Sequence, residues 1–371
     1  MKVLFTFFNP SGGMETLNRV RCKALMQHGI ECHLLYTHDG EGRKNIKGIK
    51  TFILSNPEQI QALIRREHYD TIVICSDIQL MEWMHQWGYT GHLIYEIQGL
   101  GTVETAREIL VDYQARIEAY ATALLYPRTS HIQNMMKELF PGKLHFCFDN
   151  PLDTERFHYI PYPPKPFPIL GWIGRIEKNK NWRDFLKLGA ALKQRYPDMY
   201  LWMFGDDTLF HPQEQAAFQQ MVAELQLSEA LIQYSNVPHE IMADYLSIIG
   251  DSGGLLCSTS ITEGFGYAVA EAMLCRCPVL ATDSDGIRAF LYPGKTGLFY
   301  EMGNIKQAQR SALLMMENAV LRSLIVDSAE ALMHQRFSAA HYVRHFNSMH
   351  KVLSRKRRGE KDHPNRKVLD P

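Results

Sequence analysis

The 371-residue sequence has no long apolar run, no excess of charge and no Cys-x-x-Cys pair. No stretch approaches the roughly 18 consecutive apolar residues that indicate a membrane-spanning helix, so we expect a soluble chain. Lysine plus arginine equals aspartate plus glutamate at 40 each, which leaves no overall field to attract nucleic acid. We therefore expect no nucleic-acid partner, and the substrate has to be inferred from local sites.

Cysteine usage and the start of the chain both favour the cytoplasm. The seven cysteines are odd in number and mostly lie in apolar runs, a pattern typical of reduced core thiols. Cys275 and Cys277 lack a second pair or nearby histidines that would complete a metal site, so we interpret them as structural. The first apolar run stops at Asn9-Pro10 without a cleavage site, which predicts a strand rather than a signal peptide.

Short β-rich apolar segments alternate with segments of helical periodicity along the chain, a pattern that predicts parallel crossover units. The length favours two domains. The fold prediction is therefore α/β, with two Rossmann-like, doubly wound parallel sheets. The predicted strands are residues 3–7, 32–36, 71–75, 93–97, 169–173, 200–204, 255–257 and 279–281.

Proline marks the domain boundary. Residues 158–168 contain five prolines, which excludes a helix or central strand and favours a stiff linker. We expect an N-terminal domain at 1–160 and a C-terminal domain at 169–336. An amphipathic helix at 337–353 is suited to return to the first domain. The charged segment 354–371 is expected to be disordered, and its basic residues offer a peripheral membrane contact.

Ligands of open α/β sheets bind at the carboxyl ends of strands, so the loops that follow strands are informative. Gly12 and Gly13 lie between the first strand and a helix, where backbone amides favour a phosphate. Arg175 and Lys180 follow the strand at 169–173 and suit a diphosphate. Gly205 ends the strand at 200–204. Taken singly, the glycines are equally well explained by tight turns, and Arg175 and Lys180 are better explained as surface charges in a loop.

The stretch TEGFGYAVAEAM, residues 262–273, carries two glutamates. Glu263 lies in the loop before a Gly-Phe-Gly turn, and Glu271 lies in the helix that follows. Backbone amides at the start of that helix point at whatever binds there. Each glutamate alone is better explained as a solvated or structural acid.

Taken together and in this order, SGGME (11–15), GRIEKNK (174–180) and TEGFGYAVAEAMLCRCPVLATDSDG (262–286) resemble the retaining glycosyltransferases of family 4. The resemblance runs from Asn9 to about Leu353. Its most specific part is the pair of glutamates, followed by Pro-Val and a strand. It implies the GT-B fold, in which two domains face a central cleft, with the donor on the second domain and the acceptor on the first.

The resemblance also implies roles for individual residues. Arg175 and Lys180 correspond to a diphosphate clamp. Glu263 corresponds to the catalytic residue at the donor sugar, and Glu271 to the residue that holds the ribose hydroxyls. The remaining donor-binding candidates belong to the glycine loop, a strand end, the nucleobase segment and the helix start: Gly12, Gly13, Gly205, Val237, Pro238, Phe265, Gly266 and Tyr267.

The sequence departs from the family pattern at three positions. Gln98 stands where many members have a histidine near the donor sugar, and an amide can donate a hydrogen bond but cannot gain charge. It is a second, weaker catalytic candidate. Pro151 replaces a glycine, and Ala289 replaces a downstream glutamate.

The implied activity is transfer of a hexose or N-acetylhexosamine from a nucleotide diphosphate sugar, with UDP expected, to a glycan, lipid, protein or small molecule. No tightly bound cofactor and no metal are expected, because cations and a helix dipole stabilise the leaving diphosphate. The Asp-x-Asp spelling at Asp283 and Asp285 stands where the family has a glycine turn. Two alternatives stay open: an epimerase or phosphorylase on the same fold, and a non-catalytic glycan-binding partner of another transferase.

Overall fold

The structure is a computed structural model that describes residues 1–206 and 212–357. Within these residues, the first domain contains a parallel sheet of seven strands in the order β3-β2-β1-β4-β5-β6-β7. Its elements are β1 (Lys2–Phe7), α1 (Gly12–Gln27), β2 (Glu31–Tyr36), β3 (Lys50–Ile53), α2 (Pro57–Glu67), β4 (Thr71–Cys75), α3 (Ile78–Gln86), β5 (His92–Glu96), α4 (Val103–Tyr120), β6 (Ala123–Tyr126), α5 (Ser130–Leu139) and β7 (His145–Cys147).

The second domain contains, within the same described residues, a parallel sheet of six strands in the order β10-β9-β8-β11-β12-β13. Its elements are β8 (Ile169–Ile173), α6 (Trp182–Lys193), β9 (Tyr200–Gly205), α7 (Pro212–Glu224), β10 (Leu231–Ser235), α8 (Met242–Asp251), β11 (Leu255–Ser258), α9 (Tyr267–Leu274), β12 (Val279–Thr282), α10 (Asp285–Arg288), β13 (Leu298–Tyr300), α11 (Ile305–Glu317) and α12 (Ala319–Phe337). The predicted fold class is confirmed.

The burial of the central strands explains why the sheets form. Every residue of β4 is buried, as expected for a parallel strand covered by helices on both faces. The eight predicted strands match observed ones to within about a residue at each end. The strands missed from the sequence are β3, β6, β7, β10 and β13, and four of these five lie at the edges of the two sheets.

A last helix, α13 (Ala339–Arg357), runs back onto the first domain. Its buried Tyr342, Val343, Phe346 and Met349 share one core with strands β1 and β2. The helix continues past position 353, and residues 358–371 of the expected tail lie outside the described residues. None of the helices in the described part of the chain combines the length and apolar composition needed to cross a lipid bilayer.

All seven cysteines are unpaired, and six of them are buried. Cys275 and Cys277 lie in the apolar core of the second domain. Burial raises the pKa of both thiols, that of Cys277 to about 12. Both are therefore protonated core side chains at neutral pH.

Candidate active site

Two loops at the carboxyl edge of the second sheet are tied into one unit. Strands β8 and β11 are neighbours, so the loops that follow them meet. The backbone N–H of Ile261 donates to the Asn179 carbonyl at 2.8 Å. The Asn179 carboxamide bonds both the N–H and the carbonyl of Thr262, each at 3.2 Å. These bonds fix the loop that carries Lys180 against the loop that carries Glu263.

Lys180 and Glu263 form the centre of this unit. The Lys180 Nζ lies 2.5 Å from the Glu263 Oε1, and the Ser260 hydroxyl donates to the same oxygen at 2.7 Å. The two charged side chains are 22% and 16% exposed, so they meet at a half-buried site that solvent still reaches. The structure thus brings together two residues that the sequence placed 83 positions apart.

Arg175 lies in the same loop as Lys180, two residues after the end of β8. Its guanidinium pairs with Glu177 at 3.2 Å, and its side chain is 53% exposed. Behind it, the Gly174 N–H donates to the carbonyl of Phe204 in β9 at 2.9 Å. A Cβ on Gly205 would lie 2.6 Å from the Gly174 carbonyl oxygen. Glycine at 205 therefore lets the end of β9 support the loop that presents Arg175.

Helix α9 starts at the Gly-Phe-Gly turn, with Gly266 as its N-cap at φ +89°. The Phe265 ring is buried against Phe290 and Phe337. The Tyr267 hydroxyl donates to the Pro151 carbonyl at 3.4 Å, and desolvation raises the pKa of Tyr267 well above its usual range. The aromatic side chains therefore anchor the turn, and its backbone amides are the groups left to meet a ligand.

The loop at the start of α1 faces this turn from the first domain. Gly12, at φ +54°, begins the helix. A Cβ on Gly13 would lie 3.5 Å from the Tyr267 ring. The two glycines and Tyr267 therefore lie on opposite walls of one interdomain cleft.

Glu271 lies one turn further along α9. Its Oε1 is 3.4 Å from Nε2 of His239, which directly follows Val237 and Pro238. The same imidazole lies 3.3 Å from the guanidinium of Arg19, a fully buried residue of α1. Glu271 and the Val237-Pro238 segment thus meet at a point that the first domain also reaches.

The Gln98 carboxamide belongs to a buried network at the end of β5. Its Nε2 donates to Glu96 at 2.9 Å and to Asn150 at 3.2 Å, and its oxygen accepts from Asn150 at 2.7 Å. Glu96 in turn accepts from Arg21 at 2.6 Å. Burial disfavours the charge on Arg21, but the Glu96 carboxylate outweighs it and raises the pKa of Arg21. The network fixes the orientation of Gln98 from below.

Sequence reasoning missed His239, Arg19, Glu96, Arg21 and Asn150. The available signal was a charged residue inside an otherwise buried element. Glu96 ends the buried strand HLIYE, and Arg19 and Arg21 lie in the buried part of α1. Charged side chains are rarely buried unless they are paired, so each predicts a partner whose identity depends on the tertiary structure.

The two domains touch across the cleft. The Thr129 hydroxyl donates to the Gly264 carbonyl at 2.9 Å, and the His131 N–H donates to Asp285 at 2.9 Å. A Cβ on Gly264 would lie 2.3 Å from the Gln98 carbonyl oxygen. The closed arrangement therefore depends on glycine at 264.

The carboxylates of Asp283 and Asp285, which form the Asp-x-Asp spelling, are not directed to a common point. Asp283 forms a two-pronged pair with Arg288 at 2.6 and 2.7 Å, whereas Asp285 bonds His131 of the other domain. The Ala289 carbonyl, where the family pattern has a glutamate, accepts from Arg336 at 2.6 Å. These contacts stabilise the loop and the closed domains.

A set of side chains with metal-binding potential lies elsewhere among the described residues, at Glu31, His33 and Glu67. The ammonium groups of Lys2 and Lys50 lie 2.6 and 2.9 Å from the Glu67 carboxylate, and they lower its pKa to about 2. Ammonium groups already hold the oxygens that a metal would need, so this cluster is an ion-pair network. A cavity of about 460 Å³, lined by Tyr69, Trp87 and neighbouring residues, also lies at the amino end of the first sheet, away from the cleft.

Comparison with known proteins finds similarity to glycosyltransferases. Residues 153–331 match the family described as Glycosyl transferases group 1. A D-inositol 3-phosphate glycosyltransferase of Pseudarthrobacter chlorophenolicus is 26% identical over 338 residues, which cover 78% of this chain and 79% of that protein. One of Corynebacterium urealyticum is 28% identical over 153 residues, 40% of this chain, and the match spans only 35% of that relative's length.

Solved structures share the whole fold. A sucrose-phosphate synthase from Thermosynechococcus elongatus superposes with a TM-score of 0.79 at 15% identity, covering 96% of this chain and all of the other. Anabaena HepE in complex with UDP-glucose gives a TM-score of 0.80 at 15% identity, covering 95% of this chain and all of that one. The chain therefore has the GT-B fold, and its group 1 domain and named relatives support a transferase of the glycosyltransferase class.

Proposed function

We propose that this chain is a retaining glycosyltransferase of family 4, which transfers a hexose or N-acetylhexosamine from a UDP-sugar to an acceptor held by the first domain. The observation that carries the proposal is the Lys180–Glu263 pair, which lies on two interlocked loops beside the start of α9. A cation, a carboxylate and free backbone amides at one half-buried point are suited to cleaving a sugar–diphosphate bond.

The charged groups of the site match the charges that develop during the proposed reaction. Breaking the bond between the anomeric carbon and the diphosphate leaves negative charge on the departing phosphate. Lys180, Arg175 and the first amides of α9 stabilise that charge. In this proposal the Glu263 carboxylate favours the positive charge that develops on the sugar ring. The acceptor oxygen forms the new bond to the anomeric carbon, and the acceptor proton passes to the departing phosphate. When the diphosphate binds, the Lys180 ammonium contacts a phosphate oxygen as well as the Glu263 carboxylate.

The nucleotide occupies the other end of the same wall. Glu271 holds the ribose hydroxyls, and Val237 and Pro238 flank the base. In this assignment residues 169–336 bind the donor, while residues 1–160 with 337–353 bind the acceptor. HepE, a structural neighbour, is described with UDP-glucose and with UDP, which supports a uridine nucleotide as the donor.

Thermal unfolding in the presence of nucleotides tests the proposal. Free ligand at a hundred times its dissociation constant stabilises a protein by about 2.7 kcal/mol, so UDP and UDP-sugars should raise the melting temperature by several degrees, with GDP, ADP and dTDP analogues as controls. NMR of the sugar released from an α-linked UDP-sugar should show the α-anomer first, with and without EDTA. No shift with any nucleotide sugar at millimolar concentration would rule the function out.

A further inference from the structure

An aromatic pair lies at the carboxyl edge of the first sheet, outside the donor wall. Phe8 directly follows β1, and His38 lies two residues after β2. These two strands are neighbours, so the residues beyond their ends meet. The Phe8 and His38 rings lie 4.2 Å apart between centroids at an interplanar angle of 33°. Phe8 is nevertheless 56% exposed, so one face of the pair is open to solvent.

The two rings are held in place by their own backbone. The His38 N–H donates to the Phe8 carbonyl at 2.8 Å. The Thr37 hydroxyl donates to the same carbonyl at 3.1 Å and lies 3.1 Å from Nδ1 of His38. These bonds fix the backbone that carries Phe8, whose ring stays exposed although exposed apolar surface is unfavourable in water.

The residues next to the Phe8–His38 pair are polar rather than apolar. Asn9 adjoins Phe8, and its carboxamide oxygen accepts from Ser11 at 2.8 Å. Asp39 adjoins His38 and pairs with the exposed Arg43 at 2.8 Å. An exposed aromatic face whose neighbours in the chain carry an amide and a carboxylate complements a pyranose ring, which has an apolar C–H face and a rim of hydroxyl groups. A lipid chain would instead need a continuous apolar surface.

The pair is also continuous with the cleft. The chain runs from Phe8 through Asn9 and Pro10 directly into Gly12 and Gly13, and Gly13 faces Tyr267 across the cleft. A ring stacked on Phe8 therefore lies on the wall opposite the donor loops, a few residues from their contact with the first domain.

We propose that Phe8 and His38 form an acceptor platform that takes a carbohydrate ring, so that the acceptor of this transferase is a sugar or glycan. This inference rests on the proposed function. It narrows the acceptor from glycan, lipid, protein or small molecule to carbohydrate, and it makes Phe8 a specificity-determining residue of the first domain.

Saturation-transfer NMR tests the platform without requiring turnover. The full chain with saturating UDP is mixed with methyl glucoside, methyl galactoside, lactose or farnesyl phosphate. Wild type should transfer saturation to the sugar ring protons. Phe8→Ala and Phe8→Leu should lose this signal, and Phe8→Trp should retain it, since only an aromatic face stacks on the ring. Val111→Ala, which truncates another exposed apolar residue of the first domain, is the matched control.

The acceptor KM should change in the same direction as the binding of the sugar acceptor. With a sugar acceptor, Phe8→Ala should raise the acceptor KM roughly tenfold, while the UDP-induced thermal shift stays at the wild-type value. Retained saturation transfer in Phe8→Ala, or binding of farnesyl phosphate in place of every sugar, would overturn the platform. Absence of the UDP shift in wild type would instead count against the proposed function, and the sugar signal would still decide the platform.

Discussion

Gly264→Ala is the substitution that separates domain closure from donor binding. The Cβ of an alanine at 264 would lie 2.3 Å from the Gln98 carbonyl oxygen, 3.5 Å from the Gln98 carbonyl carbon and 3.9 Å from the Gly99 Cα. All three atoms belong to the first domain. An ordinary contact starts near 3.4 Å, so the two walls of the cleft have to separate by about 1 Å, while the second domain gains no clash of its own.

The expected cost follows from that displacement. Moving the walls apart by about 1 Å weakens the bond from Thr129 to the Gly264 carbonyl, which is 2.9 Å long. A misplacement of about 1 Å between reacting groups lowers rates by about a hundredfold. We therefore expect kcat to fall by about two orders of magnitude, while the dissociation constant of UDP changes by less than about threefold.

Three measurements check this expectation: the rate of transfer or hydrolysis from the UDP-sugar, UDP affinity by calorimetry, and the radius of gyration of the UDP complex by small-angle scattering. Gly142→Ala is the control, because a Cβ there meets nothing within 4 Å. Wild-type kcat in Gly264→Ala would show that catalysis does not need this closure. A matching loss of UDP affinity would show that the donor loop moved instead of the domain.

Three further predictions test the charges. Arg175→Ala with Lys180→Ala should lower donor turnover by at least about a thousandfold without unfolding the chain, whereas Lys178→Ala in the same loop should stay near wild type. Equal effects on turnover would exclude a specific clamp. Glu271→Gln should reduce the preference for UDP over 2′-deoxy-UDP in calorimetry, and an unchanged preference would remove Glu271 from the ribose. The pKa of the Glu67 carboxyl is lowered from about 4.5 to about 2 in the folded chain. The ionised carboxylate therefore stabilises the fold at pH values above about 4.5, and this stabilisation is lost as the pH falls toward 2. The free energy of unfolding should therefore drop by roughly 1–2 kcal/mol more in wild type than in Glu67→Gln between pH 5 and 2, and parallel pH profiles would contradict it.

The fold was predictable where both faces of a strand are buried. Central strands such as β4 are continuous apolar runs, and such runs are visible in a sequence. Edge strands carry a weaker signal, because one side is left to solvent: β3, β7 and β10 contain no fully buried residue. β6 does not follow this rule, since it is fully buried and no shorter than β11 and β12, which were predicted.

The contact between Lys180 and Glu263 could be inferred within one domain. The loops with Lys180 and Glu263 follow neighbouring strands of a single sheet, so the order of the strands brings them together. Contacts such as those from Arg19 to His239 and from Thr129 to Gly264 join different domains. They depend on how two separately folded units are oriented, and no local pattern in the sequence carries that information.

The arrangement of Glu263 and Glu271 argues against a pair of acids acting on one bond. Glu263 pairs with Lys180 from the loop after β8, whereas Glu271 approaches His239 beyond the end of β10. β9 separates these two strands, so the loops lie about two interstrand spacings, roughly 10 Å, apart along the sheet edge. Carboxylates that share one glycosidic bond in retaining glycosidases lie only about 5 Å apart. The separate partners of the two glutamates therefore support the proposed assignment, in which Glu263 and Glu271 serve different parts of the donor.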